Sequence, residues 1–358
     1  MPDTRRIVRD TEALNSGVVG PGMVEQPITP TDWFFTRSHA TVPAIDRAAW
    51  RLSIDGMVAS PTTLSFDDLI GRYRHHTVPS TLMCAGLRRD ELLTVAPLPG
   101  ELPWGPEPVS TGAWGGVRLA DLLADLGVDA EATHVEFTGL DTIERDGRTI
   151  SFGGSIEIAK ARESSVLLAT ELNGAPLAPR HGFPVRALVP GWYGARSVKW
   201  LGRITLRANP SENYFQTRAY RVQRTVLNGD PRDVRQGTPL GAVPLNAMII
   251  DPSAGDTVPA GPVQVRGWAI GTGGAPLHMI ELSADGGASW QPVEQREPAS
   301  EWAWTLWRCD LSLAPGAHTL IVRATDATGA VQPDTLAATW NVKGYANNAW
   351  HRITVTAA

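Results

Sequence analysis

The chain has 358 residues, 42% of them hydrophobic and 19% charged, which predicts a globular protein of two domains. Its formal net charge of −5 gives no electrostatic reason to expect a nucleic-acid partner. The apolar runs are too short to span a bilayer, and no apolar stretch typical of an export signal follows the charged residues 1–10, so we expect a cytoplasmic protein without a membrane partner.

Local signals predict the first elements of the chain. Residues 1–32 are polar, with Gly and Pro among them, and are predicted to form an irregular arm over a later surface. Residues 50–56 alternate as a strand does, and residues 65–73 begin with a Ser-x-x-Asp pair that caps a short helix. The leucines of residues 119–126 have helical spacing, and Gly127 is expected to end this second helix.

The pattern then changes to short strands and tight turns. Asn173-Gly174 is a strong hairpin signal. A polar, less patterned region ends near residue 239, where we place the boundary between a first domain, 1–239, and a second, 240–358. The second domain has short strands at near-regular spacing with Gly/Pro turns, which predicts an immunoglobulin-like β-sandwich. Its predicted strands are 263–270, 278–283, 302–311, 318–326 and 339–342.

One of the two cysteines, Cys84, lies beside the Arg88-Arg89 pair. A thiol near fixed positive charge ionises readily, and a thiolate is a nucleophile or a soft metal ligand. The alternative is a buried structural cysteine beside solvated arginines, and Cys84 alone leaves both interpretations open. Cys309, beside Trp307, is expected to pack in the core of a strand. Two cysteines cannot supply a four-cysteine iron–sulfur or zinc site.

A second set of residues suits the binding of an anion. Its basic members lie in Gly-, Pro- or aromatic-rich loops, where an arginine can bind a phosphate or an oxyanion through its bidentate fork. Gly191, Gly194 and Ala195 offer backbone N–H groups to the same ligand. Each basic residue alone is more simply a solvated surface charge, but the whole set beside a thiolate indicates an anion site. These residues are Arg37, His39, Arg88, Arg89, His181, Arg186, Arg196 and Lys199.

Four motifs, in the right order, resemble the sulfite oxidase family of molybdenum enzymes. Residues 84–89, Cys-Ala-Gly-Leu-Arg-Arg, resemble the family's Cys-Ala-Gly-Asn-Arg-Arg motif. Residues 34–39, Phe-Phe-Thr-Arg-Ser-His, resemble its Phe-x-Val-Arg-Asn-His segment. Residues 181–201 are similar to its pterin-binding stretch, and residues 344–352, Gly-Tyr-Ala-Asn-Asn-Ala-Trp-His-Arg, are similar to its closing motif.

The resemblance implies a mixed α+β catalytic domain followed by a sandwich that forms a homodimer. It implies molybdenum held by one molybdopterin and by Cys84, and a pocket that attracts sulfite, a small dianion. That pocket would be built from Arg37, Arg89, Trp104 and Arg352. The residues implied to hold the cofactor are Arg37, His39, Cys84, Asp141, His181, Arg186, Ala195, Arg196, Ser197 and Lys199.

Two positions depart from the family pattern. Leu87 stands where the family has Asn, and Val234 aligns loosely with a tyrosine that reaches the substrate pocket, a role that Tyr214 or Tyr220 could take. The predicted function is oxidation of sulfite, or of a related sulfur oxyanion, to sulfate. Electrons would pass to a separate cytochrome or to oxygen, because no haem or flavin segment is seen. The alternatives are an oxotransferase of the same family that reduces a sulfoxide, and a non-catalytic binding protein with a vestigial pterin site.

Overall fold

The computed structural model of this chain describes residues 4–223 and 234–358. Strands dominate both halves, and the helices are short. The expected architecture, a mixed α+β region followed by a β-sandwich, is confirmed. The immunoglobulin-like character of the sandwich and the boundary at residue 239 stay predictions. No helix within the described ranges is long and apolar enough to cross a membrane.

Two five-stranded sheets frame the first half. The first is mixed, since Leu201–Arg207 runs parallel to Arg51–Gly56 while its other pairs are antiparallel. Its strands are, in spatial order, Gly153–Glu157, His134–Gly139, Leu201–Arg207, Arg51–Gly56 and Thr62–Ser65. The second contains Ala175–Pro176, Leu167–Leu172, Val109–Arg118 and His75–Met83, and Arg186–Leu188 also pairs with Leu167–Leu172. Two small antiparallel pairs complete this half, Ile143–Arg145 with Arg148–Ile150 and Arg221–Val222 with Thr238–Pro239.

The two predicted helices are confirmed. Phe66–Arg72 begins at a capping box in which Ser65 Oγ accepts from Asp68 N at 3.1 Å and the Asp68 carboxylate accepts from Ser65 N at 3.0 Å. Leu119–Leu126 buries its leucines and ends at Gly127, whose φ of +65° a glycine adopts without strain. The other α-helical segments are Arg89–Leu92, Ile158–Ala161, Tyr214–Thr217 and Leu336–Thr339, and 3₁₀ turns occur at Pro21–Val24, Pro179–His181, Gly194–Arg196, Val234–Gln236 and Thr272–Gly274.

The prediction of an irregular N-terminal arm is wrong. Strands Arg5–Asp10 and Asn15–Val19 form an antiparallel hairpin. The hairpin is fixed by partners far away in sequence: Ser16 and Thr36 exchange backbone hydrogen bonds of 3.0 and 2.8 Å, and Arg9 pairs with Glu107 at 2.5 Å. A local pattern does not contain such tertiary partners, which explains the error.

The second half consists of two packed sheets. One has the order Asn246–Asp251, Gly261–Ile270, Thr305–Leu313 and Glu294–Gln295, and the other has Thr257–Val258, His351–Ala357, Gly316–Asp326, Leu277–Ser283 and Gln291–Pro292. Cys309 is buried in the core between them, as expected.

The predicted strand 339–342 is wrong, because Asn341 forms a turn there. Its Nδ2 donates to Thr339 O at 3.1 Å and to Tyr345 O at 2.7 Å, and its Oδ1 accepts from the backbone N–H groups of Lys343 and Tyr345. An Asn side chain that bonds neighbouring backbone in this way competes with a strand ladder.

Arg88 joins the two halves of the molecule. It is fully buried, its guanidinium pairs with the Glu91 carboxylate at 2.7 Å, and Nη1 donates to Asn246 Oδ1 at 3.1 Å and to Ala349 O at 2.9 Å. Because the guanidinium is fully buried and already forms an ion pair inside the protein, it has no access to a soluble anion, and the prediction that Arg88 binds an anion is wrong.

Candidate active site

A single cleft collects most of the residues singled out from the sequence. Its empty volume is about 720 Å³, including solvent at its mouth. Loops that follow the strands of the first half bring the lining residues together, although they are far apart in sequence. The predicted residues that line the cleft are Arg37, His39, Cys84, Asp141, His181, Arg186, Ala195, Ser197 and Lys199.

Cys84 directly follows strand His75–Met83, and its side chain lines the cleft at the C-terminal end of that strand. The residue is 8% exposed, and its Sγ lies 3.5 Å from the backbone N of Gly86, the hydrogen-bond donor. Trp104 is buried in the same apolar cluster. The thiol is therefore held at a fixed position, with a small opening towards the cleft.

Lys199 and Arg186 form the inner cationic end of the cleft. Lys199 Nζ donates to Ser38 Oγ at 2.6 Å and to Arg180 O at 3.2 Å. Arg186 donates to His181 O and to Ser197 O, both at 2.9 Å. Within the described ranges neither side chain lies within ion-pair distance of a carboxylate. Their hydrogen-bond acceptors are neutral oxygens, and each cation also lies over an aromatic ring, Lys199 over Trp200 and Arg186 over Trp114.

Burial disfavours the charged forms of the side chains at this inner end. Burial, and then the charge of Arg186, lowers the pKa of Lys199 well below its ordinary value. Burial alone lowers the pKa of Arg186 to about 9. Burial, followed by the charges of Arg180, Arg186, Lys199 and Arg6, lowers the pKa of His181 to about 2, so that imidazole is neutral. The charge of Asp141 opposes part of this shift at Lys199, and a bound anion such as a phosphate would compensate both desolvated cations further.

Gly182 makes the close approach of these groups possible. Its φ is +107°, and a Cβ added there would lie 3.1 Å from the Cβ atoms of Arg186 and Lys199. A larger residue would therefore be strained and would push the two cations apart. This is the physical reason for glycine in the His181-Gly182-Phe183 sequence.

Asp141 and Arg196 complete the predicted inner set in different ways. Asp141 lines the cleft, accepts from Phe152 N at 3.0 Å, and has its pKa raised by burial. Arg196 lies behind the lining: its Nη1 donates to Phe215 O at 3.3 Å, its buried Nη2 has no hydrogen-bond partner among the described residues, and burial lowers its pKa to about 10.

His39 and Tyr220 form a hydrogen-bonded pair on the cleft wall. His39 Nε2 lies 2.7 Å from Tyr220 Oη, and its Nδ1 lies 3.3 Å from Arg37 Nη2. Burial, and then the charge of Arg37, lowers the pKa of His39 well below its ordinary value, so the ring is neutral. Because Arg37 has only donors, Nδ1 must accept and Nε2 carries the proton, which it donates to Tyr220. The Tyr220 hydroxyl proton is therefore free to be donated into the cleft.

The N-terminal hairpin positions Arg37. Asn15 Oδ1 accepts from Arg37 Nη1 at 3.3 Å and from Ser38 N at 2.9 Å, and Arg37 Nη1 also donates to Ser38 O. Asn15 is only 1% exposed. The sequence analysis did not single out Asn15, because the hairpin that carries it was not predicted.

Arg89 does not line the cleft and belongs to a cluster beside it, the outer cluster of Arg89, Glu101 and Lys343, which sequence analysis identified only in part. Its Nη2 lies 3.4 Å from Glu101 Oε2, and its guanidinium carbon lies 5.2 Å from the centre of the Tyr345 ring. Lys343 Nζ lies 2.9 Å from Glu101 Oε1. Tyr345 in turn stacks on Tyr220, with ring centres 5.5 Å apart. Lys343 directly precedes the motif 344–352, and this position is the sequence signal that could have identified it.

Some predicted residues lie elsewhere. Arg352 is exposed, and its Nη1 donates to Asp334 O at 2.5 Å outside the cleft. Leu87 is buried in an apolar cluster and does not line the cleft. Of the two tyrosines considered, Tyr220 lines the cleft and Tyr214 does not. The side chain of Val234 and the whole of the neighbouring Asp233 lie outside the described residues.

Two family sequence profiles match the chain. The profile described as an oxidoreductase molybdopterin binding domain matches residues 39–215, and that of a Mo-co oxidoreductase dimerisation domain matches residues 239–358. The first contains most of the cleft residues. Asn15 and Arg37 precede it, and Lys343 lies in the second.

Whole-chain comparisons give several relatives described as sulfite oxidase, and also an NAD(P)H nitrate reductase of Hordeum vulgare, 33% identical over 92% of this chain and 39% of the relative. Mitochondrial sulfite oxidase of Macaca fascicularis is 39% identical over 94% of this chain, which spans only 63% of that protein. Sulfite oxidase of Gallus gallus is 37% identical, over 92% of this chain and 73% of the relative. Among solved structures, the sulfane dehydrogenase SoxCD from Paracoccus pantotrophus has a TM-score of 0.81 at 25% identity, covering 99% of this chain and 90% of that one.

Proposed function

Because this chain belongs to the sulfite oxidase family of molybdopterin-dependent oxidoreductases, we propose that it oxidises sulfite to sulfate. The balanced half-reaction takes oxygen from water: sulfite and one water give sulfate, two protons and two electrons. The observation that carries the proposal is that the Cys84 thiol shares one cleft with Arg186 and Lys199, two cations that have no carboxylate within ion-pair distance among the described residues.

The residues present fit a molybdopterin. Arg186 and Lys199 donate hydrogen bonds to neutral oxygens only, as the anchors of a phosphate need. His39, Asp141, His181, Ala195 and Ser197 would surround the pterin, and the orphaned Nη2 of Arg196 lies behind them. Cys84 supplies a thiolate-forming ligand for molybdenum. When bound, the cofactor would supply the two-electron oxidation.

The remaining residues would attract and orient the substrate. Arg37 lines the cleft with its guanidinium held by Asn15 and Ser38, so its rotamer freedom is already reduced before a ligand binds. Sulfite is a small oxyanion, and charge-assisted hydrogen bonds from arginine suit its oxygens.

Tyr220 would add a neutral hydrogen-bond donor to the same pocket. Burial raises the pKa of its phenol to about 12, so the hydroxyl keeps its proton at neutral pH. Because His39 donates to Tyr220 Oη, that proton points away from His39 and towards a ligand. We propose that Tyr220 is the substrate-facing tyrosine.

The two cysteines provide a test with a matched control. Protein made in a host that synthesises molybdopterin is expected to hold stoichiometric molybdenum by plasma mass spectrometry, and to reduce ferricyanide when sulfite is added. Cys84→Ser should abolish sulfite-dependent turnover, because the thiolate ligand is gone. Cys309→Ser, also a buried cysteine but in the sandwich core, should keep both molybdenum and turnover.

The alternatives give different results. Full sulfite turnover in Cys84→Ser would overturn the mechanism. Molybdenum without sulfite turnover, together with reduction of a sulfoxide by a reduced dye, would favour the oxotransferase. A folded protein that contains no molybdenum in a cofactor-producing host would favour the binding protein.

Partners and location follow as proposals from the same family membership. The dimerisation-domain match supports a homodimer, which sedimentation equilibrium would test. We propose that electrons leave to a separate acceptor, a cytochrome or oxygen, with no haem or flavin held by this chain. The cytoplasmic location stays a prediction.

A further inference from the structure

Glu101 stands between two cations, Arg89 and Lys343, next to the residues that line the cleft rather than among them. Its Oε1 lies 2.9 Å from Lys343 Nζ, and its Oε2 lies 3.4 Å from Arg89 Nη2. The Glu101 side chain is 16% exposed, that of Arg89 is 4% exposed and that of Lys343 is 33% exposed. One carboxylate therefore bridges a cation from the first half of the chain and a cation from the second.

This ion-pair cluster is continuous with the cleft. Arg89 lies over one face of the Tyr345 ring, and the same ring stacks on Tyr220, which lines the cleft. The charges of this cluster also influence the pKa of Tyr220. Burial is the main cause of the raised pKa of Tyr220, and the charges of Arg37 and Arg89 lower that pKa while Glu101 raises it.

Arg89 and the backbone of Lys343 form further hydrogen bonds that do not involve Glu101. Arg89 Nε donates to Gly344 O at 3.2 Å and Nη1 to Leu102 O at 2.9 Å, while the Asn341 turn holds the backbone of Lys343. The Arg89 guanidinium therefore has supports other than Glu101, whereas the Asn341 turn supports only the backbone of Lys343. Removal of the Glu101 charge leaves Arg89 with two hydrogen bonds to the protein and frees the positive charge of both cations.

We propose that the Glu101 carboxylate competes with bound anions for Arg89 and Lys343. By pairing with these two cations, it lowers the affinity of the outer cluster for sulfite and sulfate. The identity of sulfite as the substrate rests on the proposed function, whereas the competition between Glu101 and a bound anion does not. Each oxyanion must share these two cations with the carboxylate, so Glu101 limits substrate affinity and hastens release of the sulfate product. A purely structural ion pair predicts the opposite effect, because its loss would disorder Arg89 and weaken anion binding.

The test is Glu101→Gln in the cofactor-loaded protein, which keeps the shape of the side chain and removes its charge. We expect the Kd of sulfate, by titration calorimetry, and the KM for sulfite to fall together by about threefold to tenfold. The difference should shrink at high ionic strength. Glu136→Gln is the matched control: Glu136 is 12% exposed and pairs with Arg207 at 2.8 Å, outside the cleft, so both constants should stay unchanged.

A second variant keeps the test decisive if Glu101→Gln unfolds. Lys343→Met leaves the carboxylate with one cation fewer and should raise the Kd of sulfate by about threefold or more. Unchanged or weaker sulfate binding in folded Glu101→Gln, or unchanged binding in Lys343→Met, overturns the proposal. Failure of the proposed function is distinguishable, because sulfite turnover would then be missing in the wild type while the sulfate titrations still respond to Glu101.

Discussion

The inner end of the cleft and the outer cluster beside it differ in the counter-ions of their cations. At the inner end, Arg186 and Lys199 donate only to hydroxyl and carbonyl oxygens. In the outer cluster, Arg89 and Lys343 share the carboxylate of Glu101. A desolvated cation without a carboxylate costs folding free energy until an anion arrives, whereas a paired cation is stabilised in advance but binds a new anion less strongly. The inner end is suited to permanent retention of an anion, and the outer cluster to exchange.

Lys199→Met is the substitution expected to test this difference most strongly. The change removes the inner ammonium but keeps an unbranched side chain, so we expect molybdenum content to fall by about tenfold or more. Apoprotein stability should not fall, since the depressed pKa of Lys199 shows that its charge disfavours the folded state. Plasma mass spectrometry and urea unfolding of the apoprotein measure the two quantities.

The same substitution in the outer cluster is the control for this prediction. Lys343→Met should keep wild-type molybdenum, because Lys343 lies beside Glu101 rather than at the inner end. Equal molybdenum loss in both variants, or a wild-type content in Lys199→Met, would show that the inner end and the outer cluster do not differ in the way proposed here.

Chain order and local pattern predicted much of the fold and the inner site. The capping box, the Gly127 stop and the motif around Cys84 are encoded by neighbouring residues, so the structure confirms the two helices and places the thiol in the cleft. Adjacent arginines cannot be separated in this way. Arg88 and Arg89 look alike in sequence, but Arg88 is held by Ala349 and Asn246 in the sandwich, whereas Arg89 faces Glu101.

The outer site was the part that sequence could not supply. Lys343 reaches Glu101 only because Asn341 forms a turn in place of the predicted strand, and Asn15 reaches Arg37 only through a hairpin fixed by distant partners. Arg352, predicted from its place in the closing motif, alternates outward on strand His351–Ala357. Contacts beyond the reach of a local pattern decide the first two cases: Lys343 and Glu101 lie 242 positions apart, and Arg9 of the hairpin pairs with Glu107, 98 positions away.

Arg37→Gln is expected to affect the substrate and not the cofactor, which distinguishes its role from that of the inner cations. Arg37 has no carboxylate partner among the described residues and is supported by Asn15 and Ser38. Loss of its charge-assisted contact, worth about 1.5–3 kcal/mol, should raise the KM for sulfite by roughly 10- to 150-fold. Molybdenum content should change little. Arg352→Gln is the control, and an equal effect in both variants would contradict the placement of Arg37 at the substrate.

The smallest expected effect is a pH dependence of apoprotein stability that separates the cleft from the junction between the two halves. At that junction His351 is buried beside Arg88, its Nδ1 accepts from Ile249 N at 3.1 Å, and burial followed by Arg88 lowers its pKa to about 3, although Glu91 opposes the shift. Below about pH 6.5, His351 of the unfolded chain binds a proton that folded His351 does not. The contribution of His351 to the free energy of unfolding is therefore fully present above that pH and is lost as pH falls towards 3.

His351→Gln keeps an acceptor for Ile249 N but cannot take up the proton. We expect the slope of unfolding free energy against pH, between pH 6 and 4, to decrease by about 1.4 kcal/mol per pH unit, while stability at pH 8 changes much less. His181→Gln should flatten the profile in the same direction, since burial lowers the pKa of His181 to about 2. Urea titrations at several pH values measure both slopes. If His351→Gln leaves the slope unchanged, the junction histidine is protonated in the folded protein, and acid instability then originates in the cationic inner cleft alone.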